Sequence, residues 1–335
     1  MKRNPRSDNW SQKAADYMLE TNAIYRLGLD VGGTNLRLGV FSDLTLVEEV
    51  RFQANYSALC KENPPAQAWQ RILHVTAEAI RALLAKYPIQ AIGIGFPGFI
   101  DPNSGILAQS PNLPGLLDVN LGQDLSDLLG LPVRVENDAN AAAYGEFCQL
   151  GQPAGGLLYL GLGTGVGAGL VVNGKVWAGQ HGYALEAGHI IVVPDGRLCG
   201  CGNQGCVEQY ASATGISRAY AEVTRQEKTA FDIALAAKAG DSHALAIYAD
   251  AGSKLAQMLA SVLKVIDVEN VVIGGGVVAA WPLLQPAFEQ RLEHDLIPVL
   301  RGKINVHISR TGDIAGMLGA ALLAAPIASV ATSPA

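Results

Sequence analysis

One arrangement occurs twice in this chain of 335 residues, and it limits the folds available more than any other feature. Residues 24–30 (Ile-Tyr-Arg-Leu-Gly-Leu-Asp) read as a strand, Gly32-Gly33-Thr34 as its turn, and residues 35–41 as a returning strand. Residues 157–161, the turn Gly163-Thr164-Gly165 and residues 168–172 repeat that order, closed by the hairpin signal Asn173-Gly174. A Rossmann site would need a helix after the glycines and a P-loop would need Gly-Lys-Ser/Thr; neither occurs. Each glycine turn is either only a turn or a place where backbone N–H groups and a Thr hydroxyl meet phosphate oxygens, and the duplication suggests two related lobes gripping one nucleotide from both sides. Asp30, at the end of the first strand, could anchor Mg²⁺ through water.

The second constraint is a run of metal ligands. Glu186-Ala-Gly-His189 is followed by Cys199-Gly-Cys201-Gly-Asn-Gln-Gly-Cys206-Val-Glu208, so three of the five cysteines lie within eight positions. Three thiolates (Cys199, Cys201, Cys206) and one imidazole (His189) complete a tetrahedral set for Zn²⁺, and a filled set implies a structural ion. Gly200, Gly202 and Gly205 let the backbone turn tightly enough to bring the cysteines together. A zinc ribbon for nucleic acid would need a second Cys pair and basic surroundings, and the sequence has neither. Folding around the ion would draw Glu186 and Glu208 towards His189, whose second nitrogen still carries an N–H to donate. Two carboxylates and that N–H make an acceptor-rich pocket suited to a polyol.

Between these features the pattern alternates strands and helices. A third strand is expected at 47–54, a helix at 66–86 with Trp69, Ile72, Leu73, Thr76, Ile80, Leu83 and Leu84 on one face, and a buried strand at 90–96 turned by Pro97-Gly98. Residues 110–115 (Ser-Pro-Asn-Leu-Pro-Gly) form a proline-shaped loop, 121–129 a short helix, and 132–135 a strand running into Glu136-Asn137-Asp138-Ala139-Asn140 at a helix start. Asp138 there is either an N-cap or a carboxylate at the mouth of a cleft. Residues 152–156 resemble a hinge; helices follow at 209–222, 231–239 and 242–266. A strand at 270–273 enters Gly274-Gly275-Gly276, either a helix-entry turn or a place where a flat adenosine could approach the backbone. Helices at 281–292 and 314–325 flank a strand at 305–309, and residues 1–22 form a polar extension.

The Glu-x-Gly-His and Cys-x-Cys-Gly-x-x-Gly-Cys-x-Glu run resembles the signature of the ROK family (repressors, open reading frames and kinases), and the likeness extends over about residues 24–327. The resemblance implies an α/β, two-lobed, actin-like ATPase fold (hexokinase or ribonuclease H type) with a cleft between the lobes and a structural zinc loop. The lobes would be 23–142 with 315–330, and 143–314. It implies ATP with Mg²⁺ as phosphoryl donor and phosphorylation of a hexose at its 6-hydroxyl, most simply glucose. Asp138 would be the catalytic base, and Gly98, Asn112, Asn137, Asp138, Glu186, His189 and Glu208 would hold the sugar. ATP would be held by Asp30, Gly32, Gly33, Thr34, Asn35, Gly163, Thr164, Gly165, Gly275 and Gly276, and the zinc by His189, Cys199, Cys201 and Cys206. Many members carry Lys where this chain has Asn35. The alternatives are a kinase for fructose, mannose, allose or an N-acetylhexosamine, and a sugar-responsive regulator without its DNA-binding domain. Family kinases are often homodimers or homotetramers.

Charge and composition narrow the partners. A net charge of −6 gives no basic footprint for nucleic acid. The uncharged runs 156–172 and 315–335 are interrupted by glycines, Pro326 and hydroxyl residues, so they read as core and not as membrane spans. No apolar stretch follows Met1-Lys2-Arg3, which points to a cytoplasmic protein without a secretory leader. Cys60 and Cys148 read as buried free thiols, and the five histidines other than His189 as ordinary core or surface residues.

Overall fold

A computed structural model describes residues 24–324 apart from 103, 111–112 and 313. The expected extension 1–22, the helix end beyond 324 and the sugar-loop residue Asn112 lie outside the described residues.

Two five-stranded sheets share one design. In the first, β1 (Tyr25–Val31) pairs antiparallel with β2 (Asn35–Ser42), and β2 with β3 (Thr45–Gln53). On its other side β1 runs parallel to β4 (Ile89–Phe96), and β4 to β8 (Val133–Asn137). In the second, β9 (Leu157–Leu162) and β10 (Val166–Val172) form the antiparallel pair, with the short β11 (Lys175–Val176) beyond, while β12 (Asn270–Gly274) and β13 (Asn305–Ile308) continue in parallel from β9. The repeat seen in the sequence is thus a repeat of architecture: each glycine turn joins the first two strands of one sheet.

The pleat sorts each strand's side chains between two covers. Leu158, Leu160 and Leu162 of β9 join the large core beneath α8 (Ser242–Ile266) and α9 (Trp281–Asp295), which supply Leu255, Leu259, Leu284 and Phe288. Leu157 and Tyr159 point the opposite way, onto Ala143 and Phe147 of α4 (Asp138–Gln149). In the first sheet, Leu27, Leu38 and Ile92 share a core with Trp69, Ile72, Leu73 and Ile80 of α2 (Pro65–Leu84). On the far side α10 (Ile314–Leu323) lies so close to β1 and β4 that a Cβ on Gly28 or Gly93 would stand 1.8 Å from the carbonyl oxygens of Met317 and Ala320.

The helices α4 and α10 also pack on each other, between the two sheets. A Cβ on Gly145 would meet the Ala315 carbonyl oxygen at 2.1 Å, and one on Gly319 the Ala141 carbonyl oxygen at 1.8 Å, so glycines set the spacing of this crossing. Each sheet is therefore joined to the other through a pair of backbones in direct contact.

The strands and long helices fall where the periodicity puts them, with ends displaced by no more than three residues. The seven-residue helix α1 (Tyr56–Glu62) was not anticipated; it follows Asn55 in a left-handed conformation (φ 52°), and its Tyr56 hydroxyl is bonded to Thr76 Oγ1 at 2.7 Å. Nor was the small sheet of β5 (Phe99–Ile100), β6 (Leu107–Gln109) and β7 (Leu117–Val119), whose strands are too short for alternation to show. The helix expected at 209–222 is two: α5 (Glu208–Ala211) and α6 (Ala213–Thr224). Ser212 is extended (ψ 164°), and its hydroxyl accepts from the Gly215 amide as the N-cap of α6. Near the chain's middle α3 (Leu121–Leu129) covers β8, and α7 (Ala230–Lys238) packs beside α8.

Candidate active site

A cleft of 430 Å³ opens between the sheets, and sequence-distant residues converge on it. Asp30, Gly98, Asn137 and Asp138 contribute from the β1, β4 and β8 ends; Gly163, Thr164, Gly165, Glu186, His189, Glu208 and Gly275 contribute from the second sheet and the cysteine loop. Asn35 is the first residue of β2, and it does not line the cleft; nor do Gly32, Gly33 and Thr34. The Gly33 carbonyl accepts from the Ser57 amide at 2.8 Å and the Thr34 carbonyl from the Ala54 and Asn55 amides at 2.9 Å, which ties this turn to the start of α1.

The choice between cap and cleft carboxylate at the start of α4 is resolved by the neighbour. Asn137 is the N-cap: its Oδ1 accepts from the Ala139 and Asn140 amides at 3.0 and 3.1 Å, and its Nδ2 donates to the Gly98 carbonyl at 3.1 Å. Asp138 is thereby the first helical residue, with its carboxylate on the cleft wall and one oxygen 2.8 Å from the Ala139 amide. Burial pushes its pKa up to about 6, and the Asp30 carboxylate acts in the same direction. The helix amides oppose this shift without cancelling it. A carboxylate with that pKa is ionised at neutral pH yet basic enough to take a proton.

The acceptor cluster lines the same cleft as Asp138. Glu208, at the start of α5, has Oε2 fixed by the Val166 amide at 3.0 Å, which leaves Oε1 facing Cys199 at 3.9 Å. This contact needs a glycine at 165, since a Cβ there would lie 2.4 Å from Glu208 Oε2. Glu186 Oε2 is 3.8 Å from His189 Nε2, and burial holds this carboxyl above its ordinary range.

The other imidazole nitrogen faces the sulfurs. His189 Nδ1 is 3.6 Å from Cys199 Sγ, Cys201 Sγ is 3.6 Å from Cys206 Sγ, and all four ligand atoms lie within 4.8 Å of one another. Thiolates at about 2.3 Å from a tetrahedral Zn²⁺ stand roughly 3.8 Å apart, so the donor set and its spacing fit that ion. Gly202 and Gly205 take positive φ (94° and 83°), whereas Gly200 neither does so nor meets any atom that a Cβ would strike. The tight loop therefore rests on two of the three glycines, and Gly200 is not required by its conformation.

The second glycine turn is held from below. The Gly163 carbonyl accepts from the Ala213 amide at 2.8 Å, and the Thr164 carbonyl from Thr214 Oγ1 at 2.8 Å. Gly163 and Thr164 also border a second, apolar cavity of 320 Å³, with Phe231, Leu235 and Lys238 of α7, Tyr248 of α8 and Gly276-Val277 in its wall. Gly275 has φ 86° and a Cβ there would lie 2.4 Å from the Leu162 carbonyl oxygen, so the Gly274–276 run makes a tight entry turn into the short helix that starts at Gly276. This cavity has no local sequence signal, because its wall is made of helix ends that meet only in three dimensions. Phe99, Gly312 and Gly316 in the main cleft were missed for the same reason.

Among the described residues no helix is long and apolar enough to cross a membrane. The chain is 34% identical over 315 residues to a glucokinase of Halalkalibacterium halodurans, covering 88% of this chain and 92% of that one. It is 33% identical over 312 residues to an N-acetyl-D-glucosamine kinase of Aliivibrio salmonicida, covering 88% and 98% of the two chains. The crystal structure of a ROK family glucokinase from Streptomyces griseus in complex with glucose and AMPPNP superimposes with a TM-score of 0.76 at 31% identity, over 90% of this chain and 99% of that one. Residues 26–326 match the ROK family as a whole, and with the cysteine loop, paired sheets and intervening cleft in place, the chain belongs to the ROK family.

Proposed function

We propose that the protein transfers the γ-phosphoryl group of ATP to the 6-hydroxyl of a hexose, and that the hexose is glucose. The observation that carries this reading is the placement of Asp138: a carboxylate with its pKa raised to about 6, on the wall of the cleft that also holds Glu186, His189 and Glu208. Similarity to the H. halodurans glucokinase and to the glucose-bound S. griseus structure supports the choice of sugar.

In this reading the sugar hydroxyls lie against Glu186, His189 and Glu208, and Asp138 takes the proton from the attacking hydroxyl oxygen. The new O–P bond forms as the bond to the ADP oxygen breaks, so catalysis depends on position and on neutralising charge. Asn137 contributes by capping α4 and holding the Gly98 carbonyl, which orients the wall that the sugar would touch. The turn at 163–165, on the cleft wall, would hold the triphosphate; the turn at 32–35, outside the cleft lining, would reach it only as the lobes close, and the apolar cavity beside Thr164 would take an adenine ring. Mg²⁺ bound with ATP would supply positive charge to the phosphates, with Asp30 as its anchor through water. Zinc held by His189, Cys199, Cys201 and Cys206 would stiffen the loop and leave His189 Nε2 to face the sugar. Closure of the two lobes about 152–156 would exclude water from the reacting phosphate.

Similarity to the A. salmonicida enzyme favours N-acetylglucosamine as a second reading. An ADP-release assay over glucose, mannose, fructose, allose and N-acetylglucosamine decides between them. Glucose is expected to give the highest kcat/KM; a higher value for the N-acetylated sugar would select the second reading, and no ADP with any sugar would reject both.

A further inference from the structure

Glu146 is a buried acid that the mechanism above does not use. It is 5% exposed, two turns along α4 from Asp138. Its Oε1 accepts from the hydroxyls of Ser309 and Thr311, the latter at 2.6 Å, and those residues lie more than 160 positions away. The two hydroxyls are 3.2 Å apart, and Ser309 Oγ in turn accepts from the Gly312 amide at 3.2 Å. The Ser309 amide donates to the Ile273 carbonyl at 2.9 Å, at the end of β12 and two residues before Gly275. Gly275, Gly312 and Gly316 all line the cleft that Asp138 lines.

We propose that Glu146 is a positioning residue that locks the helix bearing Asp138 to the cleft wall formed by 309–312 and Gly275. The proposal rests on the reading in which this wall receives ATP, and it deepens that reading. Its physical basis is selectivity. The α4–α10 crossing is a close contact of small residues (Gly145, Ala141, Gly319, Ala315), which sets the spacing of the two helices, and the polar cluster adds a fixed register. A carboxylate bonded to two hydroxyls has one geometry that satisfies all three groups, and a slide would leave a buried acid without partners at a large cost. The network thus fixes the register of the base relative to the nucleotide, while the sugar-side groups Glu186, His189 and Glu208 stand on other elements and are untouched by it.

Two measurements test this on the full chain, with Glu146→Ala, Glu146→Gln and wild type compared. Glu146→Gln keeps a carbonyl oxygen for the hydroxyls; Glu146→Ala keeps none. Hydrogen exchange needs no ligand: the amides of 309–312 and 314–316 are expected to exchange faster in Glu146→Ala and to return towards wild type in Glu146→Gln. Calorimetric binding of ADP is expected to weaken about tenfold in Glu146→Ala, with glucose affinity within about twofold and recovery in Glu146→Gln. Unchanged exchange at those amides would overturn the proposal. Faster exchange with unchanged ADP binding, or equal losses for ADP and glucose, would overturn it too, since a merely structural role predicts one of these. Wild-type protein that binds neither ligand would reject the functional reading instead, and the exchange pattern alone would then decide the coupling.

Discussion

Asp138 owes its chemistry to the residue before it. With Asn137 capping the helix, the Asp138 carboxylate is placed on the cleft wall, where burial and Asp30 raise its pKa to about 6. As the proposed base, Asp138 must be ionised to accept a proton, so kcat/KM for the sugar should fall as pH drops through about 6, with a limiting tenfold loss per pH unit. A pH–rate profile at saturating ATP checks this; a flat profile down to pH 5 would contradict it. The same shift has a consequence for stability of opposite sense to a salt bridge. A carboxyl whose folded pKa lies above its unfolded value of 3.8 destabilises the fold when ionised; that penalty is present above about pH 6 and is relieved as pH falls towards 4. Asp138→Asn should therefore raise Tm at pH 8, by about 2–4 °C for each kcal/mol relieved, and show no gain at pH 4. Thermal unfolding at the two pH values reads the difference.

At the scale of elements, the cysteine loop and the two glycine turns were legible because their chemistry is local. His189, Cys199, Cys201 and Cys206 make a tetrahedral donor set by residue type alone, and the structure brings their ligand atoms within 4.8 Å of one another. Cys201 is exposed, so Cys201→Ser removes a ligand without opening a cavity. Wild-type protein should carry one zinc per chain by metal analysis; the variant should carry less, with hexose KM raised about tenfold as the loop holding His189 and Glu208 loosens. Zinc-free wild-type protein with normal kinetics would contradict the assignment. What the sequence hid depends on contacts between distant segments. No local pattern distinguishes Asn137 from Asp138 as the cap, since either side chain serves. The tie between the 32–35 turn and α1 needed a helix too short to show, and the Glu146–Ser309–Thr311 cluster joins residues that only the helix crossing brings together.

The whole molecule is two copies of one sheet design joined by α4 and α10, and the duplicated strand–glycine turn–strand order made that legible from the chain alone. The join depends on missing side chains. Gly319→Ala would place a Cβ 1.8 Å from the Ala141 carbonyl oxygen and push the helices apart. The expected loss is about 1–3 kcal/mol, seen as a lower denaturant midpoint with little change in slope. A neutral substitution would mean that the lobes are not held in contact at this point. The proposed function sets one aspartate against a sugar in a cleft between these lobes. Its most direct test is kcat and glucose affinity in Asp138→Asn. With Asp138 as the base, kcat is expected to fall by about 10² to 10⁴ while the glucose Kd stays within about twofold; turnover near the wild-type rate would contradict that role.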